Sequence, residues 1–359
     1  MNAMTLGPAA WQEVARRIFV AWGAPEASAV VVARSLVESE LAGVAGHGLI
    51  RISDYINHAR NGWVVPSGTP SIIRETATTT LVDGGYGFGQ PAAYCALDAS
   101  IPKARRQGIA AASVVHCGHI GRIGEYAEKA TAEKMIALVT ASGGGNMGLV
   151  VPWGGAERLF STNPIAAGVP AGTHEPFIMD FATSVVAAGK LELAPDKDKP
   201  IPHDWALKAD GSPATTAREF LDGGGLLPFG GHKGYALMLF IELICSAMGG
   251  VGVPVGKKPQ PRPGYAGNAA FMIVIDIAHF TDPAHFAADV DSLFSRLESV
   301  KPAPGSAGVV IPGAPERAAR KKNAGKDLTV EGAIWERILG VAAERKVSLD
   351  DVAGGAARA

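Results

Sequence analysis

Apolar positions in the first part of the chain repeat with helical period. Trp11, Val14, Ile18, Phe19 and Trp22 are spaced three or four apart within 9–22, and an Ala/Val-rich stretch over 25–42 continues to Gly43. A third helix is predicted over about 49–61, closed by Asn61-Gly62, and Pro66 to Pro70 reads as a linker. The pattern then changes to short β-branched runs at 79–83, 109–115, 136–141, 165–169, 177–180 and 271–276, with helices near 91–106, 122–134 and 231–249. Asp196 to Pro202 reads as a charged loop and Asp210-Gly211 as a hairpin tip. Helical period returns at 284–299 and 329–345, and the tail GGAARA reads as a frayed end. The expectation is an α/β chain in three parts. These are an N-terminal helical lobe (1–75), a sheet domain (76–282) and C-terminal helices (283–359) that rejoin the N-terminal lobe.

Composition narrows the possible functions. With 359 residues the chain exceeds one ordinary core, so two or more lobes are expected. An apolar content of 47% and a net charge of −1 describe a soluble globular protein and give no electrostatic case for nucleic acid or an anionic membrane. Cys95, Cys117 and Cys245 are scattered and odd in number, so neither a disulfide framework nor a metal site is expected, and a reducing cytoplasm fits best. No signal-peptide pattern and no apolar run of membrane-spanning length is present.

The densest chemistry follows the run at 109–115, which stops at HCGHIGRIGEY (116–126). A strand emptying into a helix start is where open α/β structures place ligands. His116 and His119 add proton-transfer capacity, and Arg122 adds a fixed charge beside Gly118, Gly121 and Gly124. Cys117 lies in this segment without a nucleophile motif around it. Gly143 to Gly148 matches G-x-G-x-x-G after a strand, but Val150-Val151-Pro152 follows where a Rossmann helix would be needed. GGYGFGQP at 84–91 has the wrong spacing and reads as a turn.

His47 and Arg51 are four apart, which on a helix or its first turn sets an imidazole beside a guanidinium, and Tyr55 extends that face. An imidazole exchanges protons near neutrality and a guanidinium holds a carboxylate, a pairing suited to 2-oxo or 2-hydroxy acids. Ser161-Thr162-Asn163-Pro164 follows a Gly/Trp-rich loop. The strand at 177–180 runs into Phe181-Ala182-Thr183-Ser184, offering groups for ribose hydroxyls and phosphate; Asp180 and Ser184 serve equally as helix caps. Gly230-Gly231-His232-Lys233-Gly234 opens an apolar helix and forms a cationic anion site.

Taken together, these residues resemble the malate/L-lactate dehydrogenase family of NAD(P)-dependent, non-Rossmann oxidoreductases, with the hydroxycarboxylate dehydrogenase branch most similar. The likeness rests on His47-Gly-x-x-Arg51, HIGRIGEYAE (119–128), Thr162-Asn163-Pro164, Asp180-Phe-Ala-Thr-Ser184, Ala188-Gly189-Lys190, Gly231-His232-Lys233-Gly234-Tyr235, Asn268 and Ile311-Pro312-Gly313. It implies a largely antiparallel cofactor-binding sheet of the malate/L-sulfolactate dehydrogenase type, flanked by helical lobes from both termini. A homodimer with its substrate pocket near the interface is also implied. By position, His47 is the proton donor or acceptor, and His119 is a second candidate, since it is the acid/base in a ureidoglycolate dehydrogenase relative. Arg51, Tyr55 and Thr162 are substrate contacts. NAD or NADP contacts fall on Gly121, Arg122, Ile123, Asp180, Phe181, Ala182, Thr183, His232, Lys233, Asn268, Pro312 and Gly313.

Two departures from the family pattern stand out. Gly46 replaces the usual serine before His47, and Lys190 stands where an imine-reducing relative has an aspartate, which argues for a carbonyl rather than an imine substrate. Gly267-Asn268-Ala269 replaces the usual Asn-Gly-His, so that Ala269 would enlarge or depolarise the pocket. The implied reaction is reversible hydride transfer between NAD(P)H and a small 2-oxo acid. Ureidoglycolate, a diketo sugar acid and a cyclic imino acid are alternative substrates, and a non-catalytic dinucleotide-binding protein is the alternative of another class.

Overall fold

In the computed structural model, residues 3–143, 148–192, 196–254 and 267–353 are described. The chain opens with β1 (Met4–Leu6) and α1 (Pro8–Ala21), with Pro8 at the helix start, where its missing N–H costs nothing. Trp11, Val14, Ala15, Ile18 and Phe19 form the buried stripe of α1, and α2 (Glu26–Leu41) packs Ala29, Val32, Ala33, Leu36 and Val37 against it. A 3₁₀ turn at Ala45–His47 leads to α3 (Arg51–Arg60), which adds Ile52, Tyr55 and Ile56.

The sheet follows with β2 (Ser71–Glu75) and β3 (Thr79–Asp83), then α4 (Gly89–Gln107), β4 (Ile109–Cys117), α5 (Gly124–Ala132) and β5 (Met135–Ser142). Next come β6 (Ile165–Val169), β7 (Phe177–Phe181), α6 (Ala188–Glu192), β8 (Ala206–Leu207), α7 (Ala217–Leu221) and β9 (Gly225–Leu226). The strands at 79–83, 109–115, 136–141, 165–169, 177–180 and 271–276 lie where their patterns predict, and Asp210-Gly211 forms the tip of a tight hairpin. β2 escapes prediction because all five of its residues are exposed, leaving no alternation to read.

The apolar helix α8 (His232–Glu242) runs into a π turn at Leu243–Ala247, and β10 (Asn268–Asp276) then enters the middle of the sheet. The seven-stranded order is β2-β3-β4-β10-β5-β6-β7, antiparallel throughout except for β3–β4, the pair that α4 crosses. Met272 lies opposite Ala112 on one side and Val139 on the other. Small residues let helices close on both faces. Ala110, Ala112 and Val114 meet Ala92, Ala96 and Leu97 of α4, while Val115 faces Ile241 and Cys245. A sheet of this topology is not a doubly wound parallel one, as expected. In the glycine-rich decoy, residues 144–147 lie outside the described residues, as does the tail at 354–359.

The last segments separate. After α9 (Pro283–Glu298), whose Phe294 packs with Ala171 and Ile311 beyond the β6–β7 hairpin, comes the polar α10 (Ala314–Asn323), with no buried residue and no readable apolar period. The predicted helix at 329–345 starts later. β11 (Leu328–Val330) pairs with β1, and only then does α11 (Gly332–Ala343) begin, followed by α12 (Asp350–Ala353). Trp335, Ile338 and Val341 of α11 complete the core of α1–α3. Trp11 stacks edge-on against Trp335 at 5.6 Å and donates its indole N–H to Leu328 O at 2.9 Å. No helix of the described residues is long and apolar enough to cross a membrane.

Candidate active site

β4 delivers His119 to the edge of the N-terminal lobe. Its path there requires close backbone packing: a Cβ on Gly89, at the start of α4, would lie 2.2 Å from Gly118 O. The same strand end separates the two histidines of the segment. His116 adopts φ 50, and a register shift in β10 lies beside it between Asn268 and Ala270. His116 therefore turns to Asp83 at 2.9 Å and stacks on Tyr86, holding the turn, and only His119 reaches the pocket. This corrects the expectation that both histidines serve proton transfer. Cys117 is buried, its thiol pushed up to about 12 by that burial, which is no environment for a nucleophile.

His119 lines a pocket of about 290 Å³ together with Arg51, Asp54, Tyr55, Asn57, His58, Asn61, Trp63, Gly267 and Asn268. Its Nδ1 lies 2.8 Å from the Tyr55 hydroxyl and 3.2 Å from the Gly121 N–H. Behind Tyr55, the buried Gln90 of α4 donates to the phenol oxygen at 3.0 Å. His47 stacks on His119 with ring centres 5.5 Å apart. Burial first, then Arg51 and Arg122, pushes His47 down to about 4; burial, His47, Arg51 and His58 hold His119 well below the ordinary histidine range. Both rings are therefore neutral at pH 7.

The pairing of His47 with Arg51 has a different origin from the one expected. His47 ends the 3₁₀ turn, Gly48 breaks the chain with ψ −143, and Arg51 begins α3, so the two do not share a helix. Arg51 comes back because its Nε donates to Gly46 O at 2.7 Å while Nη1 meets Asp54 at 3.1 Å. Tyr55 does follow Arg51 by one turn of α3. Gly46 has open space beside its Cα, whereas Lys190 lies over the Trp205 ring on α6. Ala269 is a correction: it is buried with Val115, Ile241 and Cys245 and does not face the pocket, which Gly267 and Asn268 line instead.

Apart from Asn268, the remaining predicted residues lie outside the pocket lining, and several are engaged internally. Asn268, at the pocket edge, accepts from Ile120 N–H and donates to Ser142 O, tying β4 to β5. Gly121, Arg122 and Ile123 form the turn into α5, where Asp180 accepts the Gly124 N–H at 2.7 Å, making it a cap for a helix other than its own. Burial raises the Asp180 carboxyl to about 6. The Thr183 hydroxyl donates to Thr162 O and Asn163 O, and Pro312 O accepts from Ile178 N–H beside the left-handed Gly313. Phe181 ends β7 and Ala182 follows it, with Phe181 exposed and set edge-on to Phe229. His232 and Lys233 stand exposed at the N-terminus of α8. Gln90, His58, Asn61 and Trp63 carry no motif or spacing that marks them as site residues. Asn61-Gly62 reads only as a helix stop, and Gln90 lies in a segment that reads as a turn.

A larger cleft of about 350 Å³ lies between Trp22, Arg60, Glu344 and Arg345. Arg60 and Arg345 lie against the Trp22 ring and Arg60 pairs with Glu344, so this is a clamp between α11 and the N-terminal helices.

Comparison with known proteins agrees with this architecture. The family profile described as malate/L-lactate dehydrogenase matches residues 7–339. An L-sulfolactate dehydrogenase of Methanothermobacter thermautotrophicus is 34% identical, over 97% of this chain and 99% of its own. A Delta(1)-pyrroline-2-carboxylate/Delta(1)-piperideine-2-carboxylate reductase of Pseudomonas putida is 36% identical over 67% of this chain and 69% of its own. The solved sulfolactate dehydrogenase of Methanocaldococcus jannaschii superposes with a TM-score of 0.87 at 30% identity, covering 97% of this chain and 99% of that one. With the family profile matched over residues 7–339 and a relative 34% identical over 97% of its length, the chain belongs to the malate/L-lactate dehydrogenase family.

Proposed function

We propose that this protein transfers hydride reversibly between NAD(P)H and a small open-chain 2-oxo/2-hydroxy carboxylic acid. The observation that carries the reading is the placement of Arg51 and His119 on the wall of one pocket of about 290 Å³. Arg51 uses Nε and one Nη1 hydrogen internally and retains N–H groups for a substrate carboxylate. With Nδ1 of His119 engaged by Tyr55 and Gly121, Nε2 is the ring atom left for the substrate oxygen. His119 therefore takes the proton-handling role: as Nε2–H passes to the substrate oxygen, Nδ1 takes the hydroxyl hydrogen of Tyr55, 2.8 Å away, so the ring is not left as imidazolate. His47, stacked behind it, keeps the pair from carrying two positive charges.

The exposed start of α8 suits the diphosphate of a dinucleotide. Gly230 and Gly231 adopt φ 56 and 62, the first N–H groups of a helix lack intrahelical partners, and Lys233 adds a positive charge. When bound, NAD(P)H supplies the hydride. The chain's own part is to clamp the carboxylate, offer Nε2–H at the oxygen and hold the reacting carbon in place.

A homodimer belongs to the same reading. Phe240, Leu243 and Met248, along α8, its π turn and the residue after it, are 55%, 49% and 59% exposed, an apolar run that a second copy of the chain would cover. Scattered thiols favour a cytoplasmic location.

The test is oxidation of NADH and of NADPH with glyoxylate, pyruvate, oxaloacetate, 2-oxoglutarate, phenylpyruvate and a cyclic imino acid. Turnover on an open-chain oxo acid is expected. Turnover on the imine alone would reassign the substrate class, and nucleotide binding with no turnover would remove the enzyme reading.

A further inference from the structure

The hydrogen bonds behind His119 admit one arrangement of hydrogens. A backbone amide can only donate, and Gly121 N–H points at Nδ1 from 3.2 Å, so Nδ1 presents its lone pair and the ring hydrogen sits on Nε2. The Tyr55 hydroxyl, 2.8 Å from the same nitrogen, must then donate its hydrogen to it. This leaves the phenol oxygen as an acceptor, and Gln90 Nε2 fills that role at 3.0 Å. The opposite orientation of the Gln90 amide would aim a second acceptor at the one Tyr55 hydrogen.

We propose that Gln90 and Tyr55 are positioning residues that fix His119 in the Nε2–H tautomer, so that the ring meets the substrate oxygen as a donor. The proposal rests on the reading of His119 as the group at that oxygen. It adds a direction: a ring preset as a donor matches a carbonyl oxygen, which only accepts, so the resting site is arranged for the oxo acid rather than for abstracting a hydroxyl proton.

The packing supports a dedicated arrangement. Gln90 is fully buried in the first turn of α4, and its Oε1 has no partner among the described residues, so the amide is oriented toward Tyr55 while its own oxygen stays unsatisfied. Gly121 holds φ 77, and a Cβ there would sit 3.1 Å from Ser35 Oγ and 3.2 Å from Gln90 Nε2; its lack of a side chain lets the donors converge. The ionisable groups acting on the ring are His47 from the 3₁₀ turn and Arg51 and His58 from α3. All three disfavour a second ring proton, as does burial.

The test uses full-length protein labelled with ¹⁵N at histidine, read through two-bond ¹H–¹⁵N correlations from about pH 5 to pH 8. Wild type, Tyr55→Phe, Gln90→Met and His119→Gln are compared, the last assigning the His119 signals. In wild type, Nδ1 is expected to be pyridine-like, Nε2 pyrrole-like, and neither to titrate. Tyr55→Phe keeps the ring but removes a donor to Nδ1, so Nδ1 should begin to take up a proton within this range, and kcat for oxo-acid reduction should fall about 10-fold at little change in KM. Gln90→Met should move the same signals in the same direction by a smaller amount. Wild-type protein with Nδ1 protonated overturns the proposal, and so do variants that lose kcat with unchanged His119 spectra, which is the mark of a packing role. Undiminished turnover in His119→Gln would instead fail the catalytic reading, whatever the spectra show.

Discussion

Arg122 donates to Glu128 across 2.7 Å inside the protein, and Arg320 of α10 grips the same carboxylate at 2.8 Å. The Arg122 side chain is 3% exposed, so the cation that sequence places beside the glycine turn joins α5 to α10 and is not presented to a cofactor phosphate. Replacing it with methionine should cost about 3 kcal/mol of stability, because Glu128 and its surroundings lose a buried partner. The ratio of NADPH to NADH efficiency should stay unchanged. Denaturant midpoints and the two kcat/KM values test this, and a swing in cofactor ratio without loss of stability would contradict the assignment.

Arg51 is expected to act on the acid and not on the nucleotide. Arg51→Lys keeps the charge but loses the fork that holds Gly46 O, Asp54 and a carboxylate together. KM for the oxo acid should rise roughly 100-fold. Quenching of protein fluorescence by NADH should titrate as in wild type, and a parallel loss of nucleotide affinity would place Arg51 in the wrong role.

Glu125 supplies a pH test of the buried region under the site. It accepts from Ser35 at 2.9 Å, and burial raises its carboxyl from 4.5 to about 7. Between those values the folded protein keeps a proton that the unfolded chain has released, so this residue lowers stability progressively as pH rises, with the full effect above about 7. Glu125→Gln should therefore stabilise the protein more at pH 8 than at pH 5. His47 acts in the opposite sense: its contribution is complete above 6.5 and is lost as pH falls toward about 4. Urea denaturation of wild type and Glu125→Gln at both pH values gives the sign, and an equal gain at both would refute the raised carboxyl.

The outer face of α8 should mediate self-association. Phe240→Asp places a charge at the start of the exposed apolar row without touching the core of the helix. Light scattering after size exclusion should show a dimer for wild type and a monomer for the variant; a monomeric wild type would exclude the dimer.

Much of the fold was legible because its elements are strongly periodic. The alternation in β4 and the stripe of α1 reflect burial on one face, which a local pattern records. Sheet order was not: β10 is readable as a strand, but nothing local tells that it lies between β4 and β5. In the site, His47, Arg51 and His119 were recognisable by residue type and motif, although the helical spacing invoked for His47 and Arg51 was the wrong cause. Gln90 was invisible because its importance lies in one contact with a residue 35 positions away. Asp180 and Thr183 show the converse, polar residues suggestive of a ligand whose side chains hold helix α5 and the 162–163 turn.

The pairing of β1 with β11 also orders events during synthesis. Residues 8–60 are synthesised before the sheet, yet the groove they form stays open until Leu328, Trp335 and Ile338 have followed it. Each nascent chain therefore exposes the apolar faces of α1 to α3 throughout the making of the sheet, and closes them last. Removing either β1 or the segment from β11 to α11 would leave the same wound, because both belong to one seam.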